Sequence, residues 1–113
     1  MTRYLISFQD GAMTFPEEDL PAVAEDVHAV VREAQKTGAW VFGGGLHHHD
    51  TLTVVATDGT VTDGPYPETK EQLGGFAIVD VSTRAEALQW AAKFAASCRC
   101  DQALHEIMPD PDV

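Results

Sequence analysis

The sequence predicts an α+β fold in which two helices cover one face of an antiparallel sheet. Its 113 residues suffice for one domain, which we expect to span residues 1–113. The hydrophobic pattern changes repeatedly between the period of two typical of strands and the longer period of amphipathic helices. Turn and capping residues separate these segments, so the elements can be assigned in order.

The first two elements are a strand and a helix. Arg3–Phe8 (RYLISF) alternates and is rich in aromatic and branched residues, which predicts a strand. Acidic residues at the start and an apolar stripe predict a helix within 16–37, and Gly38 is placed to end it. Since Pro21 is tolerated only in the first turn, the regular helix should begin near Asp19 or Leu20.

Two strand-like segments follow. Ala39–Leu46 (AWVFGGGL) begins as a strand and ends in three glycines. Thr51–Thr57 (TLTVVAT) predicts another strand, and the turn signal Asp58-Gly59 returns the chain through Thr60–Thr62 as a hairpin.

The last third of the chain predicts a strand, a helix and a strand. Gly75–Val81 (GFAIVDV) reads as a buried strand. Thr83 and Glu86 form a capping box that begins a helix extending to about Ala96. Ala103–Met108 (ALHEIM) predicts the final strand.

The resulting order is β-α-β-β-α-β, with a β-hairpin insert between core strands 2 and 3. This is the ferredoxin-like plan, with both helices on one face of an antiparallel sheet. The other face needs cover, and in so small a chain a second subunit is the expected cover, so we predict a homodimer.

The composition excludes several classes of function. The formal net charge is −11, with 18 acidic and 7 basic residues, which disfavours direct nucleic-acid binding and binding to anionic membranes. No apolar run reaches the length of a membrane span, and the absence of a leader leads us to expect a cytoplasmic protein. Cys98 and Cys100 are too close for an unstrained disulfide and are expected to be reduced thiols.

Histidines supply the candidate acid–base groups. The run 47–50 (HHHD) has three interpretations: a solvated turn, a transition-metal site sharing His47 and His49, or one active-site histidine, His47. His28 lies at the border of the first helix's apolar face. It has two interpretations: a structural residue, or a general acid or base. His105 alternates with apolar residues in the last strand and is expected to be structural.

The segment Val61–Phe76 (VTDGPYPETKEQLGGF) is longer than a hairpin turn requires. Its prolines and glycines predict a rigid loop that presents carboxylates and Lys70 beside the glycines of the second strand. Presentation of functional groups and locking of a dimer are both consistent with this pattern. Gly43–Gly45 lacks the features of a phosphate loop, so close packing or room for a small ligand explains it better.

That segment resembles the signature of the DGPF proteins, a branch of the YCII-related superfamily, with Tyr66 in place of the usual Phe. The resemblance covers nearly the whole chain and implies a dimeric ferredoxin-like (dimeric α/β-barrel-type) domain. The biochemical role of DGPF proteins is largely unassigned, and their genes often lie beside those for extracytoplasmic-function sigma factors. In the wider superfamily a His–Asp pair in a dimer cleft is proposed as catalytic, and one lineage carries out dehydrochlorination. His28 matches the histidine of that pair in position, and Asp63 is the natural candidate for the aspartate.

The sequence therefore predicts a small-molecule enzyme of elimination or isomerisation type, with neither cofactor nor metal. Its cleft would lie between the glycine strand and the DGPY loop. His28 or His47 would move a proton, Asp63 would orient or charge-balance it, and Lys70 would hold an anionic group. The expected substrate-binding residues are Gly44, Gly45, Gly64, Tyr66, Glu68 and Lys70. The alternative is a non-catalytic accessory module that binds a sigma factor or a small effector.

Overall fold

The computed structural model describes residues 1–64 and 72–113 of the chain. In this part of the chain six strands and two α-helices follow one another. Their bounds are β1 (Thr2–Gln9), α1 (Leu20–Thr37), β2 (Trp40–Gly45), β3 (Thr53–Val55), β4 (Val61–Asp63), β5 (Leu73–Val81), α2 (Arg84–Cys98) and β6 (Ala103–Glu106).

The main sheet has the strand order β2-β5-β1-β6, and every neighbouring pair is antiparallel. Strands β3 and β4 pair only with each other, as the insert hairpin. Both helical connections skip one strand, which agrees with the predicted ferredoxin-like α+β fold. The element bounds differ from the predicted ones by a few residues: β5 begins at Leu73 rather than Gly75, and β6 ends at Glu106.

The helix ends follow the predicted local chemistry. A one-turn 3-10 helix at Glu17–Asp19 precedes α1, and Gly38 ends α1 in the left-handed conformation with φ of 79°. At the start of α2 the Thr83 hydroxyl accepts a hydrogen bond from the Glu86 N–H at 3.2 Å, as a capping box requires. None of the described helices is both long and apolar enough to span a membrane.

The hydrophobic core lies between the helices and one face of the sheet. Alternate residues of β1 and β5 point into it, including Ile6 and Val79, and α2 contributes Trp90 and Phe94. Removing these side chains from water is the main source of stability. Arg99 at the end of α2 pairs with Asp26 of α1 at 2.8 Å, which ties the two helices together at the surface.

The opposite face of the sheet carries no helix, and we call it the open face. Its apolar side chains come from three adjacent strands: Leu5, Phe42, Phe76 and Ile78. The Phe42 and Phe76 rings pack with their centroids 5.9 Å apart, yet Phe42 remains 62% exposed. The molecule is correspondingly flat, with Cα extents of 44 × 43 × 18 Å.

One end of the sheet gathers the segments outside the core. Because the strands are antiparallel, β1 and β2 finish where β5 and β6 begin, as the pairs Gln9–Leu73, Gly45–Gly75 and Ser7–Ala103 show. The insert hairpin leaves the sheet here, so we call it the insert end. Residues distant in sequence meet at this end.

Candidate functional site

A histidine at the insert end lies between two carboxylates. The Nδ1 atom of His48 is 2.9 Å from Oδ1 of Asp50, and its Nε2 atom is 3.9 Å from Oδ2 of Asp10. The imidazole is 59% exposed, whereas the Asp10 side chain is only 15% exposed. The arrangement therefore places an accessible imidazole against one largely buried carboxylate and one exposed carboxylate.

Local backbone structure positions all three residues. Asp10 directly follows β1, and its N–H donates to the Gln72 carbonyl at 2.7 Å, just before β5. The His48 carbonyl accepts hydrogen bonds from the N–H and the hydroxyl of Thr51, at 2.9 and 2.8 Å. These bonds form the one-turn 3-10 helix His49–Thr51, which brings the Asp50 carboxylate back to the imidazole.

The carboxylates favour the charged form of the imidazole. The hydrogen bond with Asp50 raises the pKa of His48 above its ordinary value, and the charges of Asp50 and Asp10 act in the same direction. Nδ1 lies 2.9 Å from the Asp50 carboxylate and also accepts from the Asp50 backbone N–H at 3.4 Å, and the other nitrogen faces Asp10. This is the arrangement of a positioned acid–base group.

Replacing Asp50 by asparagine should lower the pKa of His48, since the strongest contribution to the raised pKa comes from that carboxylate. NMR titration of the imidazole protons would measure the change, with Asp63→Asn as the matched control. Because the folded pKa is raised, the pairing contributes stability below the ordinary imidazole pKa. That stability is lost as pH rises through the folded value. An unchanged pKa in Asp50→Asn would show that the two side chains do not pair in solution.

The three residues predicted as catalytic lie on separate elements. His28 is exposed on α1, in the helical layer, and His47 is exposed just after β2. Asp63 is exposed on β4, where its carboxylate accepts a hydrogen bond of 3.5 Å from the Thr53 hydroxyl. Among the described residues, no hydrogen bond or ion pair joins any two of these three. The structure instead brings carboxylates to His48, which the sequence analysis did not select.

The predicted binding glycines have different surroundings. A Cβ atom at Gly44 or Gly45 would meet nothing within 4 Å, so space is open beside both. Gly64 has φ of 82°, and its N–H donates to the Leu52 carbonyl at 2.5 Å, which closes the insert hairpin. The remaining predicted binding residues, Tyr66, Glu68 and Lys70, lie outside the described residues.

The cysteines are free thiols. Burial raises the pKa of Cys98 and also that of Cys100, so both are held in the protonated form, which is a poor nucleophile and metal ligand. Within residues 1–64 and 72–113, no group of three or more His, Cys, Asp or Glu residues is placed to hold a metal ion. The interpretation of His47 and His49 as metal ligands involves the His49 side chain, which is not among those described.

Comparisons with known proteins agree with the predicted resemblance. The family model of the YCII-related domain matches residues 2–97. An uncharacterised protein of Rhizobium meliloti (strain 1021) is 35% identical over 92 residues, which cover 77% of this chain and 74% of that protein. The residues that the family model matches include Asp10, His48 and Asp50, all of α1, and α2 as far as residue 97. The chain belongs to the YCII-related family.

Proposed function

We propose that this YCII-related protein is a small-molecule enzyme that works by proton transfer, in an elimination or isomerisation, with His48 as its acid–base group. The observation that supports the proposal is the position of the His48 imidazole between Asp50 and Asp10. A general base must be accessible to its substrate and must have a pKa near the working pH. His48 is half-exposed, and its pKa is raised from the ordinary imidazole value.

The two carboxylates would have different roles in this chemistry. Asp50 contacts Nδ1 through both its carboxylate and its backbone N–H, which holds the ring in one orientation. When the imidazole takes a proton from a substrate carbon it becomes a cation, and both carboxylates stabilise that charge. Asp10 is the less exposed partner, so its interaction with the imidazolium is less screened by water. Return of the proton to another substrate atom, or expulsion of a leaving group, would complete an isomerisation or an elimination.

We propose a homodimer as the active form, with a second copy covering the open face. A two-layer domain whose sheet leaves apolar side chains uncovered requires another layer. On the open face Phe42 is mostly exposed on the edge strand β2, and the exposed Leu46 lies just after that strand, toward the insert end. The dimer cleft would then lie beside His48. The free thiols of Cys98 and Cys100 fit a reducing cytoplasm, which we propose as its location.

Solvent-exchange measurements can test the proposed chemistry before the substrate is identified. A base that removes a proton from carbon and returns it exchanges that hydrogen for deuterium in deuterium oxide. We expect one or more compounds from a pooled set of small carbonyl and halogenated compounds to incorporate deuterium or release halide. His48→Gln should lower this rate by about 10²-fold, the typical contribution of a general base.

The histidines and the aspartate predicted from sequence provide the matched variants. His28→Gln, His47→Gln and Asp63→Asn should change the rate far less than His48→Gln, because within the described residues no hydrogen bond or ion pair joins their side chains to His48, Asp10 or Asp50. A rate that falls with His28→Gln or His47→Gln but not with His48→Gln would assign the chemistry elsewhere.

The accessory module predicted as the alternative has a different signature. If wild-type protein and His48→Gln are equally inactive on every compound, and a sigma factor co-purifies with both, the enzymatic proposal fails and the binding function stands.

A further inference from the structure

A cavity of about 700 Å³ lies at the insert end. It is bounded by the open face of strands β1 and β6 on one side and by the segment after α2 on the other. Its size falls within the range of small-molecule sites. Ser7 of β1 and Ala103 of β6 are paired in register and lie on its floor, and His105 lies further along the same face of β6. The amide side chains that line it come from three separate segments: Gln9, Gln72 and Gln102.

Ser7 is the most informative residue of the cavity. It is 4% exposed, and its hydroxyl has no hydrogen-bond partner among the residues that the structure describes. The other buried serine, Ser97, is 6% exposed and donates to the Phe94 carbonyl at 3.2 Å. Among the described residues the enclosed side-chain oxygen without a partner is Asp80 Oδ1, so the Ser7 hydroxyl oxygen is not enclosed but open to the cavity. A hydroxyl that lines a cavity of this size and lacks a protein partner points to a ligand as its partner.

The charges around the cavity restrict the ligand. Its described lining contains the carboxylate of Asp101 and no lysine or arginine. The nearest arginine along the chain, Arg99, is paired with Asp26 at 2.8 Å. Within residues 1–64 and 72–113, an anion in the cavity would therefore meet a carboxylate without a compensating lysine or arginine, and it would lose hydration that no ion pair replaces. Amide, hydroxyl and imidazole groups instead suit a neutral or cationic molecule with hydrogen-bonding groups, and Phe8 and Leu73 supply apolar contact.

We propose that the cavity lined by Ser7, Gln9, Gln72, Gln102 and His105 binds a small amide- or amine-bearing ligand and rejects carboxylates. The Ser7 hydroxyl is its central hydrogen-bonding group. This site is distinct from the cluster of His48, Asp10 and Asp50, although Gln9 of the cavity immediately precedes Asp10. The inference does not depend on the acid–base chemistry proposed above.

Three probes of the same shape test the proposal: phenylacetamide, phenethylamine and phenylacetate. Each is titrated into isotope-labelled full-length protein while the backbone amide NMR signals are followed. We expect the amide and the amine to shift the signals of Ser7, Ala103 and His105. Phenylacetate should bind at least about tenfold more weakly, a difference of about 1.4 kcal/mol.

Variants distinguish the effect of losing the Ser7 hydroxyl on binding from general effects on the fold. Ser7→Val should weaken phenylacetamide binding at least tenfold without lowering the Tm, since the change removes an unpartnered polar group. Ser97→Ala, which removes the other buried serine hydroxyl, should leave probe binding unchanged. If Ser7→Val fails to fold, Gln102→Leu serves as the second variant with the same expected loss of binding.

Three results would overturn this inference: no probe binds, phenylacetate binds as tightly as the other two, or the cavity variant binds phenylacetamide like wild type. His48→Gln should retain probe binding while losing solvent exchange. Failure of this proposal and failure of the proposed function are therefore distinguishable.

Discussion

Replacing Gly43 by alanine is expected to lower the free energy of unfolding by about 1–3 kcal/mol, the typical cost of overpacking a well-packed interior. A Cβ atom at this position would lie 2.5 Å from the Phe76 carbonyl oxygen, 2.8 Å from the Trp40 ring and 2.9 Å from the Ala77 Cα atom. Two of these three atoms belong to the backbone of β5, so no side-chain rotation relieves the contact. Strand β2 would have to move away from β5 at the edge of the main sheet.

Gly45→Ala is the matched control. Gly45 lies two residues further along β2, on the same side of the strand, and a Cβ atom there meets nothing within 4 Å. Its φ is not in the left-handed region, so alanine is expected to be neutral or to stabilise by up to about 1 kcal/mol through the unfolded chain. Urea denaturation at one fixed protein concentration compares the variants, since a dimer's stability depends on concentration. Equal stability of the two variants would show that β2 does not pack against β5 as closely as described.

Replacing Phe42 by aspartate is expected to convert the proposed dimer into a monomer. Phe42 is 62% exposed in the single chain and lies on the open face, on the edge strand β2, and aromatic anchors are among the residues that contribute most to association. Loss of such an anchor costs about 2 kcal/mol or more, or roughly a 30-fold rise in the dimer Kd. Burying the new carboxylate against apolar side chains adds to this cost. Sedimentation equilibrium over a range of protein concentrations measures the dimer Kd of the wild type and of the variant.

Leu88→Asp controls for the introduction of charge. Leu88 is a comparably exposed apolar residue, 47% exposed, but it lies on α2 in the helical layer. The Leu88→Asp substitution should therefore leave the dimer Kd unchanged. Because Phe42 is mostly exposed, circular dichroism should show that Phe42→Asp stays folded. A wild-type protein that is monomeric at micromolar concentrations, or equal effects of the two substitutions, would refute the proposed interface.

Most of the fold follows from local signals. The capping box at Thr83, the left-handed Gly38 and the apolar stripe of α1 each act within a few residues, so their structural consequences can be read directly from the chain. The order of elements then leaves few antiparallel topologies, and the ferredoxin-like arrangement is the one observed. The bounds of strands are less local, since β5 gains Leu73 and Gly74 by pairing with the end of β1.

The candidate site depends on contacts between distant positions. Sequence spacing distinguished His47 and His49 from His48 by the alternation of an extended segment, but a one-turn 3-10 helix replaces that geometry from His49 onward. Asp10 contacts His48 across 38 positions, because β1 and β2 end at the same end of the sheet. A carboxylate directly after a strand was a visible signal, yet nothing local indicates which histidine it meets.

The glycine run shows the same division between the sequence and the tertiary structure. Three adjacent glycines predicted either close packing or open space for a ligand, and both occur: Gly43 packs against the β5 backbone, whereas Gly44 and Gly45 face open space. Which glycine has which role is decided by the register between β2 and β5.

The element order, the helix ends, the acidic character and the family can be read from the chain alone, because each depends on composition or on neighbours along the chain. The fold is needed to bring His48 to Asp10 and Asp50 and to place the largely buried residue Ser7 beside a cavity. These features arise where four strand ends converge, and convergence is a property of strand register rather than of any local pattern.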